Sequence, residues 1–169
     1  MTDVRIHSTA IINHPELITY GDHISIDIGV YISTSASIGD YVHIAPYVCV
    51  IGGTRAHLEM GDFTNISSKS TLIVVSDDFS KGMLNPIVPS MYRNIIGEVI
   101  IMERFSAVGS SCVVMPNVVM AEGSVLGANS LLTKSTEAWG IYAGSPAKRI
   151  GTRDSKWILE SAKKLGYEY

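Results

Sequence analysis

Every sixth residue from Met102 is large and aliphatic: Met102, Val108, Val114, Met120, Leu126 and Leu132. The fourth residue after each is small or β-branched: Ser106, Cys112, Val118, Ser124, Ser130 and Thr136. The same rule runs through Ile26, Ile32, Ile38, Ile44 and Val50, with Val30, Ala36, Val42 and Val48 among their partners. A third run is Met60, Ile66 and Leu72, partnered by Thr64, Ser70 and Ser76. A period of six fits neither an amphipathic helix nor an alternating hairpin. It fits a coil of three flat faces, one hexapeptide per face, with the aliphatic and the small residue both pointing inward. Glycine and polar residues are expected at the corners, where unusual backbone angles are needed.

The register breaks twice. From Val50 to Met60 the step is ten, so about four extra residues sit near Gly52-Gly53-Thr54-Arg55. Residues 76–97 contain Asp77, Asp78, Pro86 and Pro89 and abandon the pattern. This predicts a long loop thrown out from a corner, and loops of that length are usually functional. Residues Trp139 to Arg149 are expected to leave the coil. A helix is expected from Asp154, with Trp157, Ile158, Ala162 and Leu165 on one side and Gly166 at its end. It would cap the open end of the solenoid. The expected division is residues 1–150 for the coil and 151–169 for the capping helix.

Composition narrows the class. A chain of 169 residues is about one domain and long enough to bury a core without staples. Its 46% hydrophobic content suits a repeat protein that also buries a subunit face. A formal net charge of −3 gives no sign of a nucleic-acid partner. No apolar run approaches a membrane span, and no signal peptide is visible. Cys49 and Cys112 are too few for a disulfide framework, so a reducing cytoplasm is the default. Cys112 takes a small inward slot and should be inert.

The run Val108-Gly109-Ser110-Ser111, the run Val125 to Lys134, and Ala143-Gly144-Ser145-Pro146-Ala147-Lys148-Arg149-Ile150 together resemble the hexapeptide acyltransferases. The nearest branch is the galactoside, maltose and xenobiotic acetyltransferases, which includes enzymes that acetylate sugars of bacterial surface polysaccharides such as lipopolysaccharide. The resemblance covers about Ile24 to Ile150. It implies a left-handed parallel β-helix, an all-β solenoid, assembled as a homotrimer with sites between subunits. It implies acetyl-CoA as co-substrate, no metal, and transfer to a hydroxyl or amine of a sugar or sugar nucleotide. It would place Ser110 and Ala128 against the pantetheine arm, Thr133 and Lys134 near the adenosine, and Lys148 and Arg149 on its phosphates. Fixed cations and exposed amides suit that cofactor.

These enzymes usually use a histidine as general base. At the matching place this chain reads Val74-Val75-Ser76-Asp77-Asp78, and no histidine follows residue 57. His57, beside the irregular insertion, is the best substitute. Asp77 or Asp78 is the alternative base or acceptor contact. Asn85, Tyr92 and Arg93 on the loop are candidate acceptor residues, Tyr92 as a stacking face and Arg93 as a phosphate partner. Two other readings stand beside this one. A non-catalytic solenoid would explain the missing histidine. A γ-carbonic-anhydrase-like enzyme would need three converging histidines, and the usual pair five apart is lacking.

Overall fold

The structure, a computed structural model, describes residues 3–169, so the first two residues of the expected 1–150 span lie outside it. The chain winds as a left-handed parallel β-solenoid of about seven turns. Its first face stacks Val4–Ile6, Ile24–Ile26, His43–Ile44, Asn65–Ile66, Ala107–Val108, Val125–Leu126 and Gly140–Gly144. The second and third faces form one sheet, because the strands Tyr31–Ile38 and Cys49–Met60 run round the corner between them without a break. Pairing along the coil is parallel, for example Val108 on Ile66 and Leu126 on Val108.

The six-residue rule holds in the interior. Ile26, Ile32, Ile44, Val50, Ile66, Leu72, Val108, Val114, Met120 and Leu126 are all buried, and so are Ser70, Ser106, Ser124 and Ser130 in the narrow slots. At Ser70 the hydroxyl reaches corner backbone. Ser70 Oγ donates to the Gly109 carbonyl at 2.8 Å and accepts from the Cys112 amide at 3.1 Å. The rule stops at Ser76, which is only half-buried, since the chain leaves the coil there and Val74 fills the interior instead. The Gly52–Arg55 insertion is a bulge in a continuous strand. Pairing shifts from Ile32 on Val50 to Ile38 on Met60, which is the four-residue offset.

Four expectations need revision. Residues 76–97 are not an open loop: Ser76–Gly82 and Arg93–Ile96 pair antiparallel as a two-stranded ribbon. The segment from Trp139 does not leave the coil at once. Gly140–Gly144 pairs parallel with Val125–Leu126, and only then does Ala147–Thr152 fold back antiparallel.

The corner between the third and first faces carries the expected glycine and polar residues, as in Gly21-Asp22, Gly39-Asp40 and Gly61-Asp62, and, against expectation, aromatic rings beside them. His23, Tyr41, Phe63, Phe105 and Trp139 all hold positive φ there. The left-handed conformation costs a non-glycine residue about 1–2 kcal/mol. Here the rings stack on one another at centroid separations of 4.4, 5.0, 5.2 and 6.1 Å, close to the inter-strand spacing, and offset that cost. A ladder of carboxylates runs beside them: Asp40 Oδ1 accepts the Asp22 amide at 2.7 Å, and Asp62 Oδ1 accepts the Asp40 amide at 2.8 Å. Gly39 lets those coils close, because a Cβ there would meet Asp62 Oδ1 at 2.5 Å and the Asp62 amide at 2.9 Å.

Helix α1, Lys156–Lys164, lies along this aromatic corner and not across the open end. Asp154 caps it through the Lys156 amide at 3.0 Å, and Ile158 and Ala162 face Phe63 and Phe105. The aromatic ladder is an apolar surface that the helix covers. No helix is long and apolar enough to cross a membrane.

Candidate functional site

The second corner, between the second and third faces, carries the bulge and the ribbon. They enclose an open cleft of about 470 Å³ lined by Ile51, Gly52, Val75, Asp77, Phe79 and Arg93 among others. Asp77 is fixed there by Arg93, whose Nη2 and Nε donate to Oδ1 at 2.8 and 3.0 Å. Both side chains are largely buried, 12% and 15% exposed, so the pair is a rigid brace at the ribbon's base. The bonds all fall on Oδ1, and among the described residues Oδ2 has no hydrogen-bond partner.

Asp78 behaves differently. Its Oδ1 accepts the Ser80 amide and hydroxyl at 2.9 and 2.7 Å, and its Oδ2 accepts Asn94 Nδ2 at 2.8 Å. Those bonds, the Ser80 hydroxyl first, hold its carboxyl below the usual range. Asp78 therefore braces the ribbon, tying Ser80 on its own strand to Asn94 on the other. Asn85 accepts the Ile87 amide at 2.9 Å. Tyr92 is exposed at the ribbon's far end. Arg93 is engaged with Asp77 and is not a free phosphate clamp.

His57 sits on the third face just past the bulge. Ser35 Oγ lies 2.9 Å from Nδ1, and Ser37 Oγ lies 3.1 Å from Nε2. Ser35 has one proton and also lies 2.6 Å from the Ala56 carbonyl, which can only accept. Ser35 thus donates to Ala56 and accepts from Nδ1–H, which leaves Nε2 as the acceptor facing Ser37.

The residues of the cofactor motif lie elsewhere. Ser110 is half-buried and Ala128 is exposed at the first corner, between the first and second faces. Gly109 precedes them with no room for a side chain: a Cβ would meet the Leu126 carbonyl at 2.6 Å and the Ala128 amide at 2.7 Å. The backbone of the next coil therefore lies directly against Gly109, and this corner is where the resemblance would place the groove for the pantetheine arm. Thr133 and Lys134 are exposed on the second corner, and Lys148 and Arg149 on the terminal strand. Arg149 already pairs with Glu137 at 2.7 Å. One chain alone does not gather these groups: the groove and the Asp77 cleft stand at opposite edges of the second face.

Two clusters escaped the sequence reading. One is the serine pair around His57. The other is a polar column on the first face joining Asp27, His43, Asn65 and Ser67. Both join residues 16 to 22 apart, one coil pitch, so reading the sequence in columns at that spacing would have found them. Among the described residues no three His, Cys, Asp or Glu side chains converge as a metal set.

No family model matches the chain. It is 36% identical over 129 residues to a dTDP-4-amino-4,6-dideoxy-D-glucose acyltransferase of Escherichia coli, covering 75% of this chain and 66% of that one. A chloramphenicol acetyltransferase of Klebsiella aerogenes is 44% identical over 46 residues, 27% of this chain and 22% of that one. Among solved structures, AntD, an N-acyltransferase from Bacillus cereus, superposes with a TM-score of 0.90 at 34% identity, covering 95% of this chain and 86% of that one. That structure holds dTDP and 3-hydroxybutyryl-CoA. A serine-to-alanine variant of AntD holds dTDP-4-amino-4,6-dideoxyglucose and coenzyme A, and superposes with a TM-score of 0.92 at 33% identity over 97% of this chain and 88% of that one. An aspartate-to-asparagine variant holds dTDP and coenzyme A.

Proposed function

The chain belongs to the hexapeptide-repeat acyltransferases, and from that premise we propose that it acylates the amino group of a dTDP-linked amino-deoxysugar, drawing the acyl group from a CoA thioester. The observation that carries this reading is Asp77. It stands at the ribbon base, where the resemblance leads one to expect histidine, anchored through one oxygen with the other disengaged. A hydroxyl acceptor needs a base to become nucleophilic at neutral pH. A neutral amine is already nucleophilic and sheds its proton only after attack, from a far more acidic ammonium. A carboxylate is enough to orient that amine and hold its departing proton. The chemistry fits an N-acyltransferase better than an O-acyltransferase.

A spacing supports Asp77 over Asp78. The serine and aspartate varied in AntD are ten positions apart. In this chain the serine–aspartate pairs at that spacing are Ser67 with Asp77 and Ser68 with Asp78. Both Asp78 oxygens are engaged within the ribbon, which favours the first pair.

The reading requires a homotrimer. Ser67 and the Gly109 groove flank the second face on one side, and Asp77 flanks it on the other. The outward residues between them, Cys49, Thr71, Ile73, Val113 and Leu131, are mostly apolar and half-exposed in the single chain. If three copies turn this face to a common axis, the groove of each meets the Asp77 cleft of the next. The exposed apolar ribbon, with Phe79, Ile87 and Met91 each about 80% exposed or more, would lie over the neighbour.

The test is thiol release from acetyl-CoA with dTDP-4-amino-4,6-dideoxyglucose against the same nucleotide bearing a 4-hydroxyl. Release with the amine alone is expected. Release with the hydroxyl alone, or with neither, overturns the reading. Asp77→Asn should lower kcat by about a hundredfold. His57 is the second candidate base, favoured by its accepting Nε2. A loss of turnover in His57→Ala with Asp77→Asn near normal would transfer the role to it.

A further inference from the structure

The polar column on the first face is a continuous hydrogen-bond chain. Asp27 Oδ2 lies 2.8 Å from His43 Nε2, and His43 Nδ1 lies 3.1 Å from Asn65 Oδ1. Asn65 Nδ2 in turn donates to Ser67 Oγ at 3.0 Å. Asp27 is steadied by the Ser25 hydroxyl at 3.1 Å. The Asp27 carboxylate can only accept, so His43 Nε2–H donates to it, and the Asn65 carboxamide stands against Nδ1. Ser67 accepts from Asn65, so its single proton is free to point outward.

The end of the chain matters because of its position. Ser67 is one coil above Gly109 in the same column, its amide bonded to the Val108 carbonyl at 2.8 Å. Below it Gly109 and Gly127 keep the first corner bare, the groove assigned above to the pantetheine arm. A thioester at the top of that groove would reach Ser67.

We propose that Asp27, His43 and Asn65 are positioning residues that orient the Ser67 hydroxyl as a donor to the thioester carbonyl oxygen. The inference rests on the acyl-transfer reading. As the amine attacks, the N–C bond forms and the carbonyl pair moves to oxygen. Ser67 donates a hydrogen bond to that oxyanion and keeps its proton. Collapse breaks the C–S bond and releases CoA thiolate, while the amine proton leaves towards Asp77. The titratable groups around His43 are Asp27 on the preceding coil, with His7 acting on Asp27 from the coil before it. Asn65 on the following coil is neutral.

The experiment is kcat against pH for the intact enzyme and for Ser67→Ala, His43→Gln and Asn65→Ala, with melting curves to establish folding. Ser67→Ala should lower kcat about a hundredfold. His43→Gln and Asn65→Ala should each lower it about tenfold, with KM for acetyl-CoA changed by less than about twofold. The double variant Ser67→Ala with His43→Gln should be no slower than Ser67→Ala. If Ser67→Ala is impaired but both His43→Gln and Asn65→Ala keep the wild-type rate and profile, the relay is wrong and the acyl-transfer reading survives. If Ser67→Ala turns over normally, Ser67 is not at the reacting carbonyl and the proposal falls. If the wild type acylates no amino sugar, the underlying reading fails first. His43 is about half-exposed, so its replacement should fold; if it does not, Asn65→Ala decides.

Discussion

The Tyr167 hydroxyl donates to Asp40 Oδ2 at 2.6 Å, joining residues 127 apart in sequence. Tyr169 does the same to Asp62 at 2.6 Å. Their rings stand edge-on to Tyr41, Phe63 and Phe105, and the Arg104 guanidinium lies 4.4 Å over the Tyr169 ring. The tail after α1 thus latches the aromatic corner across two coils.

That latch should respond to alkali. The carboxylates hold both phenols well above their usual range, Tyr167 chiefly through its hydrogen bond to Asp40 and Tyr169 first through burial. A folded-state value raised above the unfolded one gives stability that is present below about pH 10 and lost as pH rises further. Tyr167→Phe with Tyr169→Phe should melt below wild type near neutrality, and the gap should close above about pH 10. Melting temperature against pH checks this.

Acid should act through the opposite sign. Asp22 and Asp27 are held below the usual carboxylate range, Asp22 first by the Asp3 amide and Asp27 first by His43. Their contribution is present above about pH 4 and lost as pH falls below it. Asp27→Asn should flatten the acid side of the stability curve, measured by denaturant unfolding between about pH 5 and pH 2.

Interior positions should be costly according to what they fill. Ile66 is fully buried, so Ile66→Ala should cost about 2–5 kcal/mol. Ser70→Ala removes the acceptor of the Cys112 amide and should cost about 1–3 kcal/mol despite its small volume. Urea unfolding of both variants would measure the two values.

The proposed subunit face is open to a direct measurement. Val113→Lys with Leu131→Lys places two charges on the outward second face. Light scattering should then move from three times the 18.3 kDa chain mass to a single chain. An unchanged mass would put the contact elsewhere.

The coil was legible because its rule is local. Each inward slot is set by the shape of the interior, so Ile44, Ile66 and Val108 announce themselves at a fixed step. The insertion at Gly52–Arg55 and the departure at Ser76 were legible as breaks in that step. The aromatic ladder was not. Its members stack between coils of unequal length, so His23, Tyr41, Phe63, Phe105 and Trp139 share no period. The chemistry was split in the same way. The motif from Ala143 to Ile150 and the lack of histidine at Ser76-Asp77-Asp78 could be read directly. That Arg93 pins Asp77 while Ser80 and Asn94 engage Asp78 is a property of the ribbon, which the sequence presents only as a loop.

The sequence alone determined that this chain is a hexapeptide solenoid of the acyltransferase kind, since the repeat is written in side-chain size. Tertiary structure alone decided which groups share a column. A solenoid brings together residues one coil apart, 16 to 22 positions here, and each insertion changes that distance. Contacts such as Asp27 with His43, or Tyr167 with Asp40, therefore depend on how the whole coil is wound and leave no local mark.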